Sequence, residues 1–366
     1  MRVVVAPDSW SGFASAPAVA RTLTAALSDA GLRPTAVPMA DGGEGTTLVL
    51  MASGARPLQG VLVRGPDGER VRAPVTDLDG VTFVESARVV GLGVVSPDSR
   101  LLARSTFGLG EALSLAGVGR AGPLVVGLGG SATLDGGLGL AQALGLRLED
   151  RAGRSLDGVV SAADLDRVAR VHGDPPLAFQ VVQGWADVTT PLADAAQVYG
   201  PQKGATPEEI AQLSDGLLGW ADTLNRWRQE LGHRAVRADL SGGGAAGGLG
   251  FALVALLDAR LVPGARAVAR AVGLPRALKR ADAVVTGEGR YDATSLAGKV
   301  VGEVTALARS AGVGTVGVLA GSLGEPPSSQ EHAPDWVMAC EQGPEDGRQE
   351  RLQQAAAEVA RRLAAG

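Results

Sequence analysis

A chain of 366 residues with 45% apolar residues exceeds what one hydrophobic core usually organises, so two domains of roughly 100–200 residues each are expected. Aromatic residues make up only 3%, which leaves Val, Leu and Ala to build the interior, as in parallel sheets covered by helices, and offers little for stacking on bases. A net charge of −5 argues against nucleic acid or an anionic membrane surface as partner, and a single cysteine, Cys340, excludes an internal disulfide and a cysteine-cluster metal site.

The first strand, Arg2 to Ala6, is broken by Pro7-Asp8 before an apolar signal region could form, and no run of about 18 apolar residues occurs, so a cytoplasmic location is expected. A polar loop, Pro7 to Gly12, leads into a helical stripe of Val19, Leu23 and Leu27. Asp8 and Ser9 thus stand at the carboxyl end of a strand, where open α/β sheets bind ligands, and are candidate substrate contacts. A second strand, Thr35 to Met39, runs into Ala40-Asp41-Gly42-Gly43-Glu44-Gly45 and another helix. Asp41 and Glu44 among three glycines could hold Mg2+, accept a hydroxyl proton or cap the helix. From Leu58 to Glu85 the pattern changes. Short β-branched runs at Val61 to Val63, Val71 to Val75 and Val81 to Val84, separated by Pro66-Asp67-Gly68 and Asp77 to Gly80, predict hairpins and a domain boundary near residue 62.

Residues 124–145 carry the densest signal: an apolar strand, a glycine-rich loop, then a helix with Leu138, Ala141 and Gln142 at helical spacing. Gly127, Gly129 and Gly130 allow backbone N–H groups to turn toward an anion, Ser131 and Thr133 add hydroxyl donors beside a helix N-terminus, and Asp135 adds a carboxylate. No Lys-Ser/Thr pair closes the loop, so it is not a Walker sequence, and a tight strand-to-helix connection is the plain alternative.

Residues 150–174 read as a polar, irregular surface excursion. A strand from Phe179 to Gln183 then delivers the segment holding Asp187, and Lys203 follows within Tyr199 to Ala205. The chain has three lysines, Lys203, Lys279 and Lys299, against 31 arginines, so a compact ammonium in two glycine-flanked loops hints at phosphate contacts by Lys203 and Lys299. Ala281 to Thr286 predicts another strand, with Glu288, Arg290, Asp292 and Lys299 in the loop after it. An amphipathic helix, Gln349 to Leu363, closes the chain. The three histidines lie outside the glycine-rich loops and receive no role.

In order, APDS (6–9), PMADGGEGT (38–46), ESA (85–87), GLGGSATLDGG (127–137), ADVTTPL (186–192), YGPQKGAT (199–206), GAAGGLG (244–250), TGEGRYD (286–292) and GK (298–299) make the chain resemble the type 1 glycerate kinases over nearly its whole length. The resemblance implies an ATP-dependent kinase that phosphorylates D-glycerate to 2-phosphoglycerate with Mg2+. The implied fold is α/β, with a Rossmann-like parallel-sheet domain built from residues 1–62 and 281–366, an inserted mixed α/β domain at 63–280, and an active site in the cleft between them. It further implies Asp187, Asp292, Lys203 and Lys299 as catalytic groups, the 127–133 loop on the nucleotide, Asp8, Ser9, Asp41, Glu44 and Arg290 on the acceptor, and Asp187 and Glu288 on the metal. Ser11, Leu134 and Thr190 stand where the family usually has Lys, Asn and Asn. These departures keep open another small hydroxy acid or sugar acid as acceptor, or a non-catalytic relative that binds nucleotide or metabolite. A small molecule is the expected partner, with self-association left open.

Overall fold

The computed structural model describes residues 1–10, 12–120, 122–174, 179, 181–186, 188–328, 332–340 and 347–365. It divides into two compact units: residues 1–41, 48–54 and 263–366, and residues 42–47 and 55–262.

The first unit is built on a five-stranded sheet in the order Trp336–Ala339, Thr315–Leu323, Ala283–Tyr291, Arg2–Pro7, Arg33–Ala36, with every pair parallel. Its central strands are continuous apolar runs, Val3 to Ala6 and Ala283 to Val285, buried as a sheet covered on both faces requires. The two chain ends therefore share one sheet. Arg2 ties the junction, since its backbone N–H and guanidinium both donate to the Asp282 carboxylate, at 2.7 Å each. Helices Ala16–Asp29 and Arg348–Ala365 cover the sheet, and Leu23 and Leu27 share a core cluster with Val359 and Leu363.

Sequence pattern and structure differ here in two places. The strand expected at 281–286 continues to Tyr291, so Gly287, Glu288, Gly289 and Arg290 belong to a strand rather than a loop. Its neighbour, Thr315–Leu323, runs equally far and pairs Glu288 with Ala320 and Arg290 with Ser322. The close approach needs glycine, because a Cβ on Gly287 would sit 2.1 Å from the Leu319 carbonyl oxygen. Residues 263–280, read from the sequence as part of the insertion, fall in the first unit. Helices Gly264–Ala271 and Leu274–Leu278 present Val268, Leu274 and Leu278 as buried side chains, and Arg266 pairs with Glu303 on helix Val300–Ser310.

The second unit has a six-stranded sheet in the order Arg260–Pro263, Val182–Ala186, Leu124–Leu128, Val81–Glu85, Val75–Leu78, Arg56–Pro57. Val182–Ala186, Leu124–Leu128 and Val81–Glu85 pair in parallel, and the strands beyond Val81–Glu85 pair antiparallel. The run from Val71 to Val75 is split at Pro74, which cannot donate to a ladder: Arg70–Ala73 pairs with Val61–Arg64 while Val75–Leu78 pairs with Val81–Glu85. The strand expected at 179–183 lies at 182–186, and its register places Gly184 opposite Val126 in a crowded spot where a Cβ would be 2.8 Å from Leu261 and 2.9 Å from Leu128.

Residues 150–174 are irregular and largely exposed, as expected, but they are anchored to the core at intervals. Arg170–His172 pairs with Arg147–Glu149, and Leu156, Val160, Ala162, Leu165, Val168 and Val171 join the core, carried by single apolar residues that no period reveals. That core includes Leu109, Leu113, Leu138, Phe251 and Trp220, whose indole donates to the Gly136 carbonyl at 3.0 Å. No helix among the described residues is long and apolar enough to cross a membrane.

Candidate functional site

Each unit assembles its own cluster of chemically capable groups. In the second unit the strand Leu124–Leu128 ends in the loop Gly129 to Gly137, and the short loop Gly42 to Gly45 lies against it. A Cβ on Gly127 would be 2.4 Å from the Gly42 carbonyl oxygen, and one on Gly129 would be 2.8 Å from the Gly43 Cα. These glycines permit two backbones to touch, a role distinct from turning N–H groups outward. Gly130 is exposed beside Glu44, and Gly129 is partly exposed. Glu85, at the end of its strand, accepts from Gly45 N–H at 2.9 Å and Thr47 N–H at 2.8 Å and fixes the shorter loop. Burial raises the Glu85 carboxyl above its ordinary value despite those bonds.

The 131–133 segment is held from inside by two cations. Lys203 Nζ donates to Ser131 Oγ at 2.9 Å and to the Thr133 carbonyl at 2.8 Å, and Arg104 donates to the Ala132 carbonyl at 3.1 Å and the Lys203 carbonyl at 3.2 Å. Lys203 is 6% exposed, and burial pulls its ammonium down to about 7 against the favourable pull of Asp135, with Arg104 adding repulsion. Its position 5.8 Å over the Tyr199 ring adds a cation–π contact, and the Tyr199 hydroxyl in turn donates to Thr190 Oγ1 at 2.9 Å. Thr133 Oγ1 is buried with no hydrogen-bond partner among the described residues, as are the hydroxyls of Ser86, Thr46 and Thr47.

The helix N-terminus expected to face an anion is already occupied. Asp135, fully buried, accepts from Gly137 N–H at 3.2 Å and Gly139 N–H at 3.1 Å, the donors that open the short helix Leu138–Ala143, and from Thr106 through both N–H and hydroxyl at 2.8 and 2.7 Å. The carboxylate does there what an external anion would do. Leu134 is likewise inside the core, fully buried, so its place in the motif offers no group to a ligand.

In the first unit, Asp8 and Asp41 follow the carboxyl ends of their strands, and Glu288 lies within the last part of the strand Ala283–Tyr291. Burial, then Asp41, then Glu288 push the Asp8 carboxyl well above its ordinary value, offset in part by the Ser9 N–H bonded at 2.6 Å. Glu288 is also raised by burial, against the pull of the Ser295 hydroxyl bonded to its carboxylate and of Lys299, and its Oε1 is buried with no hydrogen-bond partner among the described residues. Asp292 differs: its Oδ1 accepts from Thr294 N–H at 2.9 Å and Thr294 hydroxyl at 2.8 Å, which holds the carboxyl below its ordinary value, with Arg290 at 3.7 Å. Lys299 Nζ donates to the same Thr294 hydroxyl at 3.0 Å, and Arg290 is exposed.

Asp187 and Ser11 lie outside the described residues. Among the described residues no group of three or more His, Cys, Asp or Glu could by itself hold a metal ion. Mg2+ rarely needs such a cage, since one or two carboxylates with water and phosphate oxygens complete its shell, and the unpartnered Glu288 Oε1 fits that role. The sequence pattern did not single out Arg104, one arginine among 31 with no motif around it. Glu85 stood inside a matching word, but nothing in that word says that its carboxylate binds backbone 38 and 40 residues away.

A model of the glycerate kinase family matches residues 3–365 of this chain. A glycerate kinase of Halalkalibacterium halodurans is 38% identical over 337 residues, covering 88% of this chain and 86% of that protein. A glycerate 2-kinase of Escherichia coli K12 is 37% identical over 334 residues, with the same coverage of 88% and 86%. The fold is similar to a crystal structure assigned as a glycerate kinase 2 of Salmonella typhimurium LT2, with a TM-score of 0.84, 34% identity and coverage of 100% of this chain and 99% of that one.

Proposed function

Because the chain belongs to the glycerate kinase family, phosphotransferases with an alcohol group as acceptor, we propose that it is an ATP-dependent kinase that converts D-glycerate to 2-phosphoglycerate with Mg2+. The observation that carries the reading is the glycine loop, open at Gly129 and Gly130 and backed by Lys203 and Arg104: two buried cations beneath a strip of backbone with a buried, unpartnered Thr133 hydroxyl make a setting for a polyphosphate. Phosphoryl transfer depends on positioning and on neutralising charge more than on covalent chemistry by the protein. Bound with ATP, Mg2+ would neutralise phosphate charge. Glu288 is the described residue fitted to hold it, with Asp187 as a second proposed ligand.

On this reading Gly129, Gly130, Ser131 and Thr133 form the nucleotide loop, and Gly127, read from the sequence as part of it, lies in the buried strand that leads into it. Arg290 and Lys299 offer cations to the acceptor's carboxylate, Asp8, Ser9, Asp41 and Glu44 offer hydrogen-bonding groups to its hydroxyls, and Asp292 stands as proton acceptor for the hydroxyl that is phosphorylated. The test is ATP consumption by the purified chain over D-glycerate, L-glycerate and other small hydroxy and sugar acids, followed by phosphorus NMR of the product. Turnover of D-glycerate to the 2-phosphate supports the proposal. Turnover of a different acid, or phosphate on carbon 3, replaces the substrate; no turnover with any of them sinks the kinase reading.

A further inference from the structure

We propose that Thr294 is a positioning residue whose one hydroxyl spaces the Lys299 ammonium from the Asp292 carboxylate, so that each keeps a free side to offer to the acceptor. The inference rests on the reading of Asp292 as proton acceptor and of Lys299 as a cation for the acceptor's carboxylate, and it adds to them a residue that touches neither reacting atom.

Donors and acceptors around that hydroxyl have one consistent assignment. An ammonium has three donors and no acceptor, so at 3.0 Å from Lys299 Nζ the Thr294 oxygen accepts. Its own proton then goes to Asp292 Oδ1, 2.8 Å away, where the Thr294 N–H also donates at 2.9 Å. Oδ1 is thus taken up by the turn itself. Oδ2 accepts no hydrogen bond among the described residues and has Arg290 Nε 3.7 Å away. The ammonium likewise gives one N–H to Thr294, and its other two meet no hydrogen-bond acceptor among the described residues. Asp292 and Lys299 are half-buried and Thr294 is exposed, so a small molecule in solution can reach the free sides. The turn is also held by its backbone, since the Asp292 N–H donates to Oγ of the buried Ser295 at 2.8 Å.

Opposite charges so near each other attract, and with nothing between them Lys299 would close on Asp292 as a direct ion pair. That pair would occupy the carboxylate that takes a proton and the ammonium that meets the acceptor. In the structure the ion-pair partner of Asp292 is Arg290 rather than Lys299. With the hydroxyl between the two charges, Oδ2 takes the acceptor's hydroxyl proton while the acceptor oxygen bonds to the γ-phosphorus of ATP and the bond from that phosphorus to the ADP oxygen breaks.

The experiment measures kcat and the separate KM values for D-glycerate and ATP, with Mg2+ in excess. It compares wild type, Thr294→Ser, Thr294→Val, Lys299→Met, Asp292→Asn and the double variant of Thr294→Val with Lys299→Met. Thr294→Val keeps the shape and the backbone N–H but lacks the hydroxyl. It should lower kcat and raise the KM for D-glycerate by about tenfold each, the scale of a lost hydrogen bond to a charged group, and leave the KM for ATP near that of wild type. Thr294→Ser keeps the hydroxyl and should keep both values. In the double variant the KM for D-glycerate should be no higher than in Lys299→Met alone. Wild-type kcat and KM in Thr294→Val overturn the proposal, as do equal losses in Thr294→Ser and Thr294→Val, or KM losses that multiply in the double variant. A KM for ATP that rises as much as that for D-glycerate overturns it too, because the turn as a whole would then have failed. Wild-type kinetics in both Asp292→Asn and Lys299→Met sink the reading of those two residues, and the proposal with it.

Discussion

Lys203 Nζ lies 2.9 Å from Ser131 Oγ although the two residues are 72 positions apart, and the amine is almost wholly removed from water. A buried amine with a lowered proton affinity leaves a mark on stability. Between about pH 7 and the ordinary lysine value of 10.5 the unfolded chain binds more protons than the folded one, so the folded state gains stability as pH rises through that window, and below it the burial cost is felt in full. Lys203→Met lacks this contribution. The stability of wild type minus that of Lys203→Met should therefore climb between pH 7 and 10 in urea unfolding series. A difference that stays level across that range would mean that the folded and unfolded states bind the Lys203 proton equally.

The Asp135 carboxylate makes a different kind of commitment, since four hydrogen bonds from Thr106, Gly137 and Gly139 converge on it without exposure to water. Asp135→Ala strands the N–H groups of all three residues in the interior, and a loss of about 3 kcal/mol is expected from the denaturant midpoint. Asp135→Asn keeps one acceptor oxygen and should lose less. Equal stability of Asp135→Ala and wild type would show that the loop closes without it.

What the sequence made legible follows the periods that physics imposes. Apolar runs of four to six residues at Val3 and Ala283 marked strands, and the family words linked them into one sheet. The glycine loop was visible as strand, loop and helix at 124–145. Its internal assignments were less so, because the same glycines serve a turn, a phosphate or a touching backbone, and only the partner decides: Gly43 lies against Gly129, far away in sequence. Asp135 looked like an available carboxylate because the sequence places a helix at Leu138 but does not show that Thr106, Gly137 and Gly139 donate to that carboxylate and draw it inward. Glu288 was placed in a loop because Gly-Glu-Gly interrupts any strand pattern, while its pairing with Ala320 depends on the strand Thr315–Leu323, which the residues around Glu288 do not reveal.

Gly129→Ala tests the touching backbones directly. A Cβ there would come to 2.8 Å from the Gly43 Cα, a backbone atom that cannot rotate away, so the two loops must separate. Stability should fall by about 1–3 kcal/mol, and ATP affinity should fall with it. Gly219→Ala is the matched control: Gly219 lies inside helix Pro207–Glu230 with open space at its Cβ, and the substitution should stabilise by about 0.5–1 kcal/mol. If both variants melt like wild type, close packing is not the reason for glycine at 129.

Glu288 and Asp292 lie four residues apart, yet their surroundings assign them different work. Glu288 is raised by burial and keeps an oxygen without a partner, a state that a divalent cation relieves; Asp292 is held low by Thr294 and has one oxygen taken up in its own turn. Glu288→Gln should therefore raise the Mg2+ concentration needed for half-maximal rate by about tenfold or more, because an amide oxygen is a far weaker ligand than a carboxylate. That requirement should also grow as pH falls, since protons compete with the metal for a carboxyl whose proton affinity is raised. Asp292→Asn keeps an oxygen for the Thr294 bonds and so keeps its turn. It should leave the Mg2+ requirement near that of wild type while lowering kcat by about a hundredfold or more, the scale of a lost general base. Steady-state rates over a Mg2+ titration at pH 6, 7 and 8 separate the two. If the Mg2+ requirement moves with Asp292→Asn and not with Glu288→Gln, the metal belongs to the residue with the lower pKa, and the orphaned oxygen of Glu288 has another purpose.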